Sequence, residues 1–127
     1  MDIIVTTPKS QMANAKKEAE DCIKSGGGIY FRRLSSRPSK LEIGDRVFYV
    51  EDGYIRGFAT VSEIKKFAGA ECQTTRRSYP EGWFVMMDAT TWQWIKPLKM
   101  KGFQDWRYCN FPNIEIVGGW LDPKPSI

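Results

Sequence analysis

The chain opens on a contiguous β-branched run over residues 2–6, which predicts a short strand. Thr7-Pro8 then reads as a helix start, with Thr as N-cap and Pro at the first helical position. From Pro8 to Lys24 the apolar residues Met12, Ala15, Ala19, Cys22 and Ile23 recur at helical spacing. Most are small, so the predicted helix would lie close against a sheet, and Gly26, Gly27 and Gly28 would stop it. Ile29 to Leu34 predicts a second strand, and Ser35 to Lys40 a polar loop containing Pro38. Leu41 to Asp45 reads as a turn into a strand from Arg46 to Val50. Asp52-Gly53 suits a two-residue type I′ hairpin turn, because both central positions must accept positive φ.

The return strand would run from Tyr54 to Ile64, with Gly57 at a bulge or close backbone approach. Residues 65–81 form a long polar and basic connection, and Trp83 to Asp88 a further strand. Lys96 to Phe103 predicts an extended segment interrupted at Pro97, Gln104 to Cys109 a single helical turn, and Ile114 to Val117 a last strand. The Pro-containing stretch from Asp122 is expected to fray. This order predicts an α+β fold: a small mixed, mainly antiparallel β-barrel with one long N-terminal helix packed on it. At 127 residues it fits a single domain, 1–127, able to bury a core without disulfides or metals.

Charge sharpens this picture. The net charge is +4, and residues 32–77 hold ten basic against six acidic groups. Residues 91–110 add Lys96, Lys99, Lys101 and Arg107 against Asp105 alone. Two basic segments that met on one face would attract a polyanion, whereas two separate ones would only keep the chain solvated. Cys22, Cys72 and Cys109 are widely spaced and there is no His, which argues against a disulfide framework and a zinc site. No metal or other cofactor is expected. The residues from Met1 to Val5 lack the basic region of a signal peptide, and no apolar run approaches a membrane span. The expected location is cytoplasmic, with no membrane partner.

Ile29-Tyr30-Phe31-Arg32-Arg33 after a Gly-rich stop, followed by Ile43-Gly44-Asp45-Arg46-Val47-Phe48-Tyr49-Val50, resembles the PUA-like superfamily, its ASCH and EVE branches in particular. Thr6-Thr7-Pro8 matches the small-residue and Pro motif at the helix start of those families, and Gly57-Phe58-Ala59-Thr60-Val61 their apolar return strand. The likeness covers residues 2–64 well and the remainder only in general order. It implies a small β-barrel that binds RNA or a modified base in a cleft beside the first helix. The ASCH branch also carries Gly-x-Lys-x-x-Glu-x-Arg, whose Lys and carboxylate serve its few hydrolases. Aligned on Arg33, or on Phe31-Arg32, this chain does not present both the Lys and the Glu.

Several side chains fit such a cleft. Lys9 at a helix start opposes the helix dipole unless an anion binds there, and it stands beside the Thr7 cap. Arg32 and Arg33 are consecutive on a strand and so point to opposite faces, where either clamps a phosphate or pairs with a carboxylate such as Asp45 or Glu63. Trp92 and Trp94 would share a face of an extended segment and sandwich a base, or else pack in the core. Trp106 and Arg107 form a second aromatic and basic cluster, and Tyr30 completes the predicted base site. Lys65, Lys66, Arg76 and Arg77 are the candidate phosphate contacts. For catalysis the candidate base is Asp88, which a strand end more often uses as a cap. The expectation is therefore a binding domain for nucleic acid, RNA rather than DNA, or for a modified nucleotide. A small hydrolase on a modified nucleoside and a protein-interaction module are the alternatives.

Overall fold

The computed structural model describes residues 1–7, 29–67, 70–71, 78–79 and 82–126. Its strands are β1 (Ile3–Thr6), β2 (Ile29–Leu34), β3 (Arg46–Glu51), β4 (Tyr54–Phe67), β5 (Ala70–Glu71), β6 (Ser78–Tyr79), β7 (Gly82–Asp88), β8 (Gln93–Lys99), β9 (Trp106–Tyr108) and β10 (Ile116–Gly119). A single 3-10 turn, Ala89–Thr91, links β7 to β8.

This corrects the expected α+β class. The described residues are nearly all β, and among them no long helix packs on the sheet. The stretch 8–24, on which the helix expectation fell, lies outside the described residues.

The fourteen-residue strand β4 organises the sheet. Its first half pairs antiparallel with β3 and β8, and its second half with β7. β2 adds to β7, β1 lies parallel to β3, and β9 adds antiparallel to β1. The sheet therefore curls from β9 through β1, β3, β4 and β7 to β2, with β8 and β10 as a side wing. Asp52 and Gly53 both hold positive φ, 49° and 82°, as the type I′ turn requires.

Alternation along the strands divides the apolar residues between two cores. Ile3, Val5, Val47, Tyr49, Ala59, Val61, Val85 and Met87 fill the inside of the curl, with Leu34 and Leu41. Ile4, Phe48, Val50, Ile55, Phe58 and Ile95 face the other way, under Met100, Phe103, Cys109, Phe111 and Ile114. The segment after β8 is thus a cover for the outer face.

Three local expectations change. Trp106–Tyr108 is a strand, not a helical turn, because Trp106 and Tyr108 alternate inward against Val5 and Ile3 while Arg107 points away. Pro97 does not interrupt β8: it falls within the register shift against β4, where a missing N–H breaks no ladder bond. The last strand begins at Ile116 rather than Ile114.

The two ends of the curl, β2 and β9, meet through side chains instead of a ladder. The Ser35 hydroxyl donates to Asp105, and the Trp106 indole N–H donates to Ser36 Oγ at 3.2 Å. The Lys40 backbone N–H donates to the Tyr108 hydroxyl at 2.9 Å. Arg32 closes the seam at its other end by donating to the Thr6 carbonyl at 2.7 Å.

Candidate nucleic-acid interface at the mouth of the curl

Four strands deliver the residues at the end of the inner face where β1 stops and β2 begins. β1 stops at Thr6, and the Thr7 N–H bonds back to the Val50 carbonyl at 2.8 Å, which fixes buried Thr7 at the rim. Tyr49 lies beside Val5 in the parallel β1–β3 pair and sends its hydroxyl across the interior to Met87 Sδ at 3.3 Å. Trp106 stands on the other flank of Val5. Arg32 shares a strand face with buried Leu34, two residues on, and so turns into the curl.

Trp92 follows the 3-10 turn. Its ring lies on the inner core at 5.5 Å from the Tyr49 ring centroid, and its indole Nε1 is buried without a hydrogen-bond partner. A buried, unpaired donor costs about 1–3 kcal/mol, so the turn that holds it there is maintained by other contacts. Asp88 supplies them: its carboxylate accepts from the Thr90 N–H at 2.9 Å and hydroxyl at 2.7 Å, which makes Asp88 the cap of the turn.

Trp92 and Trp94 do not form two parallel walls. Their rings meet edge to face, 5.1 Å apart at 83°, which leaves no slot for a base between them. Trp94 instead donates its Nε1 proton to the Asp122 carbonyl at 3.2 Å.

The described cations occupy several places on the sheet. Arg32 makes its one hydrogen bond to a neutral carbonyl, and among the described residues it has no carboxylate partner. The carboxylates considered for it are engaged elsewhere: Asp45 with the Met1 amino group at 2.5 Å and Glu63 with Lys65 at 3.0 Å. Arg33 points to the opposite face, beside Gly82. Lys65 and Lys66 pair with Phe84 and Trp83 on β7, one and two residues along from the row of Arg32, Val85 and Ile64. There Arg37 lies over the Trp83 ring at 5.1 Å. Arg107 lies over Phe103 at 4.4 Å on the outer cover. Tyr30 sits opposite Met87 in the β2–β7 ladder. Lys9, Arg76 and Arg77 lie outside the described residues.

The mouth thus brings together Thr7, Arg32, Trp92 and Trp106 from the sequence reading and adds Tyr49 and Met87. Tyr49 was legible from the alternation of Val47-Phe48-Tyr49-Val50, which sets it on the face of Val47. No group of acidic, Cys or His side chains able to hold a metal occurs among the described residues. Cys109 lies on the outer face, where burial, with some help from the Asp2 charge, pushes its thiol up to about 12.

Comparison of whole structures decides the fold. The chain superposes on a mutant of the ZmASCH protein from Zymomonas mobilis with a TM-score of 0.51, over 86% of this chain and 90% of that one. The fold is that of an ASCH domain. Sequence identity across the match is 11%, so the likeness is one of architecture. No protein-family model matches the chain, and no curated protein matches it. Within the ASCH-like frame, the mouth is the end of the curl at which β1 stops and β2 begins. No helix among the described residues is long and apolar enough to cross a membrane.

Proposed function

We propose that this chain reads nucleic acid, single-stranded RNA in particular, by taking a base or modified base at the mouth formed by Thr7, Arg32, Tyr49, Trp92 and Trp106. The observation that carries the reading is Arg32. Arg32 is half-buried and held by one neutral carbonyl, with no counter-charge among the described residues. A guanidinium in that position costs desolvation energy that a phosphate or a base carbonyl would offset, and its planar fork presents the remaining N–H groups in a fixed geometry. The rings supply stacking at roughly 1–3 kcal/mol per base. Lys65 and Arg33, which flank Phe84 in one row of the β2–β7–β4 face, would hold the backbone, with Lys66, Arg76 and Arg77 as further phosphate contacts. Trp94 and Arg107 serve at the periphery rather than at the base.

Fluorescence anisotropy of labelled short RNA and DNA strands tests this. Binding should weaken as salt rises, with a logarithmic slope of about −0.7 for each phosphate contact. Arg32→Ala should lower affinity roughly tenfold or more, as expected for loss of a charge-assisted bond. Affinity unmoved by salt and by Arg32→Ala would refute the reading.

A further inference from the structure

The segment after β10 runs Asp122-Pro123-Lys124-Pro125. Each proline fixes its own φ near −65° and drives the residue before it to an extended or polyproline conformation. All four residues are therefore pre-set as an extended strip, at little entropic cost on docking. The stretch, for which fraying was the expectation, is in fact tied down at both ends and in the middle. Trp94 Nε1 donates to the Asp122 carbonyl at 3.2 Å, and the Arg56 guanidinium donates to the Pro125 carbonyl. Between them the Lys124 ammonium meets Glu51 at 2.7 Å. A turn closed by the Gly119 N–H on the Asp122 carboxylate launches the strip from β10.

The receiving residues are built for an occupant. Glu51 and Arg56 are two of the buried polar residues of the described chain, at 9% and 5% exposure, on adjoining strands. Glu51 has Lys124 as its salt-bridge partner, and that lysine stays 42% exposed while the Glu51 side chain is 12% exposed. Arg56 keeps a buried Nε proton with no acceptor among the described residues. Two donors spaced to take main-chain carbonyls, with a carboxylate between them to take a cation, match a peptide that carries lysine between prolines. They do not match a phosphate strand, which the Glu51 carboxylate would repel.

We propose that Trp94, Glu51 and Arg56 form a recognition strip for an extended Pro-Lys-Pro segment of a partner protein, which the chain's own 122–125 segment occupies as a competing ligand in cis. This site is separate from the mouth and does not rest on nucleic-acid binding. An incoming peptide would place its carbonyls on Trp94 and Arg56 and its lysine on Glu51, displacing Lys124 into solvent.

The test uses the full chain and a labelled peptide Leu-Asp-Pro-Lys-Pro-Ser, with a second peptide bearing Glu in place of Lys. Lys124→Glu sets a carboxylate against Glu51 and so releases the resident segment, from a side chain that is 42% exposed; a thermal melt confirms that the variant is folded. The Lys peptide should bind Lys124→Glu roughly tenfold or more tighter than the unaltered chain. The Glu peptide should not bind, and adding Glu51→Gln should remove the gain. Absence of peptide binding to Lys124→Glu would overturn the proposal, as would equal binding of the Lys and Glu peptides. Tighter binding of an oligonucleotide but not of the peptide would also overturn it.

Discussion

The Trp92 indole lies directly over the α-carbon of Gly57, so that a Cβ there would fall 2.5 Å from Trp92 Cζ2 and 2.5 Å from the Gln93 carbonyl oxygen. One of those atoms is backbone and the other belongs to a ring wedged between Tyr49 and Trp94, so neither can give way cheaply. Gly57→Ala should therefore destabilise the domain by about 1–3 kcal/mol, the usual cost of overpacking. Denaturant unfolding would measure it, and the shift in Trp fluorescence of the folded state should report the displaced indole.

Asp105 holds the seam between β2 and β9 from a left-handed backbone, φ 63°, and accepts from Ser35. Asp tolerates that conformation better than Ala, which has no short polar side chain to bond locally. Asp105→Ala should cost about 1–2 kcal/mol from strain alone, with the lost bond adding to it. Asp105→Asn keeps both the backbone preference and an acceptor and should cost less than about 1 kcal/mol. Thermal melts of the two variants check the order.

The Met1 amino group and Asp45 give stability a pH dependence at both ends. The hydrogen bond from Met1, with the Glu42 N–H also contributing, holds the Asp45 carboxyl below its ordinary range. The same bond raises the Met1 amine above its ordinary value. A carboxyl depressed in the fold contributes stability above its unfolded pKa of about 3.9, and loses it as pH falls through the lower folded value. A raised amine contributes below about 8 and loses it as pH climbs through the higher folded value. The difference in urea midpoint between the unaltered chain and Asp45→Asn should therefore be widest from about pH 5 to 7 and shrink toward both extremes.

The strands that carry the mouth were legible because their signals are local. Ile29–Leu34, the Arg46 strand, the Asp52-Gly53 turn and Trp83–Asp88 each follow from β-branched runs and turn chemistry within ten residues. What escaped depends on partners far away in sequence. Trp106-Arg107-Tyr108 becomes a strand only because β1, a hundred residues earlier, offers an edge with Val5 and Ile3 waiting beneath the rings. Residues 122–125 are held by Glu51, Arg56 and Trp94, none of which marks itself in sequence as a receptor for prolines. The paired indoles read as a sandwich because alternation reports a shared face but not ring angle. Composition located the cations, but only the β2–β7–β4 register shows that Lys65 lies one step from the row of Arg32, Val85 and Ile64.

Photocrosslinking of a short RNA strand to the chain, with the attachment points mapped by mass spectrometry, addresses the mouth most directly. Crosslinks should concentrate on Trp92 and Trp106 and fall away in Arg32→Ala. Crosslinks confined to the Lys65–Lys66 end of β4, or unchanged by Arg32→Ala, would contradict base recognition at the mouth.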